Sequence, residues 1–177
     1  MSLKILITGP PGSGKTTLIQ KITQRISRPM SGFITREIRE KGQRVGFAIR
    51  TLDGREGVLA HIRSKSRARV GRYGVDLAAL ERLAVPAMNP GEPGRLVVID
   101  EIGKMECFSD LFRKALVSLL ESENDLLGTI SQGGGPFIQG IKMRPEVELV
   151  RLTEANRDKL VELAERFERR EPGGKGG

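Results

Sequence analysis

The segment "GPPGSGKT", Gly9 to Thr16, sets glycine, lysine and threonine at the spacing G-x-x-x-x-G-K-[ST], directly after the apolar run "KILIT" and before a helical pattern. Residues of these types at this spacing hold phosphate. Successive backbone N–H groups converge on one anion only where side chains do not intrude, and the start of the following helix adds the positive end of its dipole. Gly12 and Gly14 give the chain its freedom where the wrap is tightest, and Pro10 and Pro11 stiffen the approach. Lys15 is placed to reach β- and γ-phosphates, and the Thr16 hydroxyl to ligate Mg²⁺.

A second candidate is "LVVIDEIGKME", residues 96–106. Asp100 ends an apolar strand and can hold the magnesium ion through water, while Glu101 beside it is placed to orient and deprotonate an attacking water. Hydrolysis is therefore the first expectation for this pair. The same residues satisfy the D-x-x-G pattern of signalling GTPases. The Asn-Lys-x-Asp sequence that reads guanine has no match here, however; "NRDK" at 156–159 is the nearest run. Weak base discrimination is expected.

The elements that must position these groups follow from period and punctuation. "KILIT" (4–8) reads as a buried strand, and Leu18, Ile19, Ile22 and Ile26 share one face of a helix that Pro29 stops. "GFITREI" (32–38) and "RVGFAIRTL" (44–52) flank a turn and predict an antiparallel hairpin, about 31–52, elaborating an α/β core. Residues 53–74 read as loop, with a short strand near Val58–His61. Leu77, Leu80, Leu83 and Ala84 mark a helix, followed by the loop "PAMNPGEPG" and the strand "RLVVID" (95–100), apolar on both faces. Ser109 is the N-cap of a helix burying Phe112, Ala115, Leu116, Leu119 and Leu120. "DLLGTIS" (125–131) and "VELVRL" (147–152) are strands with a short "FIQGIK" segment between them, and Thr153 caps a closing helix carrying Leu160, Leu163, Ala164 and Phe167. The pattern predicts one three-layer α/β domain over residues 1–170 with a mostly parallel sheet; the tail 171–177 has nothing to bury and is expected to be disordered.

Composition narrows the function classes. The chain has 177 residues and one cysteine, Cys107, so no internal disulfide forms; Cys107 reads as a small packing residue. No run approaches a membrane span, and the start of the chain lacks a signal peptide's layout, so a cytoplasmic protein without a membrane partner is expected. The net charge of +8 is uneven: residues 1–72 carry 16 Lys/Arg against 4 Asp/Glu, the remainder 14 against 18. With one Tyr, no Trp and no aromatic interleaving, that basic half fits neutralisation of a polyphosphate better than nucleic-acid binding.

"GPPGSGKTTL", "GFITREIREKGQRVGF", "VGRYGV", "VIDEIGKME" and "NRDKL", in this order, resemble the small nucleoside-triphosphatase family that includes the cancer-related nucleoside-triphosphatase, over about residues 3–165. The resemblance implies a RecA-like P-loop fold with an added strand between the phosphate-loop and Asp100 strands. It also implies slow, Mg²⁺-dependent hydrolysis of several nucleoside triphosphates. By the same resemblance the nucleotide site comprises Gly9, Pro10, Pro11, Gly12, Ser13, Gly14, Lys15 and Thr16, with Thr17 beside them. Leu96, Val97, Val98, Ile99, Asp100, Glu101, Ile102 and Gly103 form the second nucleotide-contacting segment, and Cys107 stands where relatives often have Leu.

Hydrolysis gains from a further cation at the departing phosphate. Lys104 is the leading candidate, with Arg72 and Arg157 as alternatives. Thr129 and Ser131 are candidates to sense the γ-phosphate, Gly133–Gly135 form either a ligand-approaching loop or a plain turn, and His61 reads as solvated. A monomeric enzyme is expected. Two rivals share the motif: a small-molecule or nucleotide kinase, for which Arg63–Arg72 is the one basic stretch available as a lid, and a nucleotide-gated nucleic-acid-binding module.

Overall fold

The structure is a computed structural model, and it describes residues 1–169; the tail 171–177, expected to be disordered, lies outside the described residues. Strand β1 (Lys4–Thr8) leads through the glycine-rich loop into helix α1 (Lys15–Thr23). Five strands follow, β2 (Met30–Glu40), β3 (Gln43–Thr51), β4 (Glu56–His61), β5 (Arg69–Val70) and β6 (Tyr73–Val75), and then α2 (Leu77–Ala87). The second half alternates β7 (Leu96–Ile102), α3 (Asp110–Leu120), β8 (Asp125–Ile130), α4 (Pro136–Lys142), β9 (Glu148–Arg151) and α5 (Leu163–Glu168).

All of these strands join one sheet in the order β5-β6-β4-β3-β2-β7-β8-β1-β9. Strands β2, β7, β8, β1 and β9 are parallel neighbours, and from β2 outward to β5 the pairing is antiparallel. Strand β8 lies between β1 and β7, where the resemblance puts the added strand. The three layers come from alternation along the central strands. In β1, Ile5 and Ile7 pack with α1 and α5 residues such as Ile19 and Phe167, while Leu6 joins Phe112 and Ile138 on the other face. In β7, Leu96 and Val98 take the first face and Val97 and Ile99 the second. Both faces must be apolar because helices cover both.

Several elements depart from expectation. The hairpin β2–β3 is not an attachment to the core: β2 pairs with β7 on one side and β3 on the other, so it is the seam where the parallel sheet becomes antiparallel. Residues 53–74, read as loop with one short strand, supply β4, β5 and the start of β6. Strands this short among glycine and arginine leave too few residues for a period to show, although Leu59, Ala60, Tyr73 and Val75 are buried in the core. Helix α2 runs through Pro86 into the expected 86–94 loop. "FIQGIK" is the helix α4, with Pro136 in its first turn. Ser109 does cap α3, accepting from the Phe112 N–H at 3.0 Å. Thr153 instead closes a turn: its Oγ1 accepts from the Asn156 N–H, the Asn156 side chain accepts from the Thr153 N–H, and α5 starts only at Leu163.

Candidate active site

The loop between β1 and α1 folds by local hydrogen bonding, with the Ser13 N–H donating to the Pro10 carbonyl at 3.1 Å. Gly12 and Gly14 have φ of 76° and 92°, where any other residue is strained; Gly14 stands at the start of α1, so the first helical N–H groups point into the loop. Lys15 Nζ donates to the Gly9 carbonyl at 2.8 Å and the Pro10 carbonyl at 3.3 Å, so its ammonium spans the loop. Thr8 Oγ1 and Ser13 Oγ, at either end of this turn, are buried without a hydrogen-bond partner. Unpartnered hydroxyls at a glycine-rich loop have O–H donors to offer the oxygens of an anionic ligand or its waters.

Asp100 and Glu101 sit where β7 breaks register with β8, between Ile99 and Ile102. Asp100 is buried, and its Oδ1 accepts from the Thr129 hydroxyl at 2.6 Å. Burial pushes its pKa up, opposed by the Thr129 and Thr16 hydroxyls and the Lys15 charge. Oδ2 is buried with no partner in hydrogen-bonding geometry. A buried carboxylate oxygen left open near a threonine hydroxyl and a lysine fits a magnesium ion and its water shell. Burial also raises the pKa of Glu101; Lys15 opposes this and Asp100 adds to it.

Two adjoining cavities meet at these groups. One, of about 660 Å³, runs along the loop and α1 past Lys15, Thr16 and Asp100 to Arg36 and Arg50 of the hairpin. The other, of about 390 Å³, lies beyond Lys15 and Glu101, toward Lys104, Ser131 and Gln132. Thr35 and Phe47 of β2 and β3 line both. A cavity of about 560 Å³ between α2 and α3, lined by Val85, Met88 and Leu119, touches none of the predicted site residues. Of the segment 96–103, the structure brings Asp100 and Glu101 to the cleft; Leu96, Val97, Val98 and Ile99 are wholly buried in the two cores. Ile102 is likewise buried, and Gly103 is the tight turn after the strand.

One carboxylate escaped the sequence reading. Glu106 lies in a single 3₁₀ turn, Glu106–Phe108, is 4% exposed and lines the inner cavity. Its Oε2 accepts the Gly103 N–H at 3.1 Å, and burial together with the nearby Glu101 charge pushes its pKa up to about 8. The signal available was local: a Gly and a Glu three apart, with apolar Met105, Cys107 and Phe108 around the acid.

In comparison with known proteins, a family model described as NTPase matches residues 4–164. The chain belongs to the NTPase family. The nucleoside-triphosphatase THEP1 of Thermotoga sp. (strain RQ2) is 46% identical over 160 residues, 90% of this chain and 91% of that one. The human cancer-related nucleoside-triphosphatase is 39% identical over 178 residues, covering 91% and 94% of the two chains. Among solved structures, the crystal structure of THEP1 from the hyperthermophile Aquifex aeolicus superimposes with a TM-score of 0.85 at 34% identity, over 95% of this chain and all (100%) of that one. The solution structure of the human protein gives a TM-score of 0.76 at 38% identity, over 90% and 94%.

In this NTPase-family chain the candidate cations separate clearly. Lys104 is exposed and lines the inner cavity with Lys15 and Glu101. Arg72 is turned to the Arg44 carbonyl at 2.7 Å and over the Tyr73 ring, and neither it nor the exposed Arg157 lines either cavity. Of "NRDK", Asn156 is spent on the backbone of Arg151 and Thr153. Ser131, Gln132 and Gly133 reach the inner cavity, and Thr129 reaches Asp100. His61 is half-buried, with Nδ1 accepting the Arg63 N–H, away from both cavities. Burial and the Glu106 charge push the Cys107 thiol up to about 12, which agrees with a packing role.

Proposed function

We propose that this chain hydrolyses nucleoside 5'-triphosphates to the diphosphate and phosphate, slowly, with Mg²⁺, and with little discrimination among bases. The observation that carries this reading is the meeting of Lys15, Asp100 with its open Oδ2, and Glu101 in one cleft at the end of β1 and β7. The triphosphate lies along the glycine-rich loop, with Lys15 swung from the Gly9 carbonyl onto the β- and γ-phosphates. Asp100 and Thr16 would hold magnesium, which would supply charge neutralisation for those phosphates. Glu101 takes a proton from the water that attacks the γ-phosphorus, and its raised pKa makes it a stronger base than a solvated glutamate. Lys104 supplies positive charge at the departing phosphate. Slow turnover follows from its exposure, because a solvated ammonium stabilises less than a buried, fixed one, and Arg36 and Arg50 on the outer cavity are engaged by Glu56. Weak base discrimination follows from the commitment of Asn156 to its own turn.

The deciding experiment is Glu101→Gln, assayed for nucleotide binding by fluorescent analogue and for phosphate release. Binding should persist while release falls by about 10²-fold or more, the usual span for losing a general base. Unchanged release would remove Glu101 from this role.

A further inference from the structure

Glu106 lines the cleft but has no part in the hydrolysis proposed above. Backbone contacts fix its place. The Cys107 N–H donates to the Gly103 carbonyl and the Ser109 N–H to the Glu106 carbonyl, each at 3.1 Å, and Glu106 Oε2 accepts the Gly103 N–H at the same distance. The residue is 4% exposed, and among the described residues it enters no ion pair. A turn that needed only an acceptor for one N–H could use a hydroxyl or an amide, whereas an unpaired buried carboxyl is costly.

Glu101 stands across the same turn. Its Oε1 and the Glu106 Oε2 both lie within 3.0 Å of the place where a Cβ on Gly103 would be. The two oxygens are therefore no more than about 6 Å apart, which one water closes with two hydrogen bonds of about 2.8 Å. Two carboxyls this close and this dry do not both keep a charge. The Lys15 charge favours the charged form of Glu101, whereas burial, the Glu101 charge and the Asp100 charge all oppose ionisation of Glu106. Other charged groups on the elements packed against the turn are taken up elsewhere or solvated: Glu81 of α2 meets the Ser109 hydroxyl, Arg113 of α3 meets Asp110, and Lys104 is exposed. The proton sits on Glu106 at neutral pH, so the pair has one donor and one acceptor.

We infer that Glu106 is a positioning residue of the hydrolytic reaction: hydrogen-bonded to Glu101 across the Gly103 turn through one water, it holds that carboxylate in the orientation that takes the proton of the attacking water. The inference rests on the proposed role of Glu101 as the base. The proton of the attacking water ends on Glu101, and the one on Glu106 stays there.

The test compares Glu106→Met, which removes donor and acceptor at similar size, with Glu106→Gln, which keeps both and cannot ionise. Phosphate release from ATP with Mg²⁺ is measured against ATP concentration, per site titrated with a fluorescent nucleotide analogue, so that only folded protein is counted. In Glu106→Met kcat should fall about tenfold with KM changed less than twofold, and Glu106→Gln should recover most of the loss. In the parent, kcat should fall as pH rises from 7 to 9, through the value of about 8 at which Glu106 gives up its proton, and Glu106→Gln should lack this fall. The pH comparison decides the matter even where Glu106→Met does not fold. Added to Glu101→Gln, Glu106→Met should cost less than a further twofold, because Glu106 acts through Glu101. An unaltered kcat in Glu106→Met, a loss confined to KM, a Glu106→Gln as slow as Glu106→Met, a full further tenfold in the double variant, or parallel pH profiles would each overturn the inference and leave the hydrolase reading standing. No phosphate release from the parent, or unchanged release from Glu101→Gln, would instead overturn the reading beneath it.

Discussion

The turn after β7 shows how much chemistry one residue without a side chain arranges. A Cβ on Gly103 would lie 2.9 Å from Glu101 Oε1 and 3.0 Å from Glu106 Oε2, so a side chain here would push the ends of both carboxylates aside. Of the charged groups on neighbouring elements, Glu101 and Asp100 of β7 act on Glu106; Glu81 of α2 is turned to the Ser109 hydroxyl and Arg113 of α3 to Asp110. Glu106 is shifted from 4.5 to about 8, so between those values the folded protein holds a proton that the unfolded chain has released. Stability from this group is thus greatest below pH 4.5 and is lost as pH rises toward 8. Glu106→Gln keeps an acceptor for the Gly103 N–H and abolishes the titration. Its melting temperature, taken by circular dichroism from pH 4 to 9, should gain on the parent steadily across that window; parallel curves would show that Glu106 is ionised throughout. That Lys15, Thr16, Asp100 and Glu101 meet in one cleft was legible from type and spacing alone, because the proposed phosphate and metal site would dictate both. Glu106 was not, since what makes it unusual is burial, and a charged residue in "GKMECF" looks like any surface acid.

At the scale of elements, legibility tracked whether an element states its own boundary. Ser109 does so: its Oγ accepts the Phe112 N–H and donates to Glu81 Oε1 at 2.7 Å, which ties the start of α3 to α2. Ser109→Ala should cost ~1 kcal/mol or more, a fall of about 2–4 °C in melting temperature for a chain of this size, measured by thermal unfolding. No change would mean that Glu81 and the Phe112 N–H find equal partners in water, which the burial of Ser109 argues against. Strands β1, β7 and β8 were equally plain, as both their faces are apolar. Strands β5 and β6 were not, because a two- and a three-residue strand are defined by their neighbours in the sheet rather than by a pattern of their own. The hairpin was seen but its place was not: nothing in "GFITREI" announces that β2 has β7 on its other side, and this pairing is what brings Thr35 and Phe47 into the cleft.

The whole molecule separates chemistry from anchoring along the strand axis. Every proposed catalytic group lies at the C-terminal ends of β1 and β7 or just beyond, whereas the opposite end, where β8 begins, is closed by charge. There Arg28 meets Asp125 at 2.8 Å, with side chains 10% and 4% exposed, and also donates to the carbonyls of Phe167 and Gly94. One guanidinium thereby joins the α1–β2 connection, the start of β8, the approach to β7 and the end of α5. Among the described residues no helix is long and apolar enough to cross a membrane. Arg28→Ala would take the guanidinium from Asp125 and from the carbonyls of Phe167 and Gly94. Losing the three hydrogen bonds that this guanidinium donates should cost ~3 kcal/mol at about 1 kcal/mol each, which corresponds to a fall of about 6–12 °C in melting temperature. Phosphate release per folded molecule should be unaltered well below the transition, because no group of the proposed triphosphate site contacts Arg28. A variant that keeps its melting temperature but loses phosphate release would show the two ends to be coupled, and the separation of anchoring from chemistry would fail.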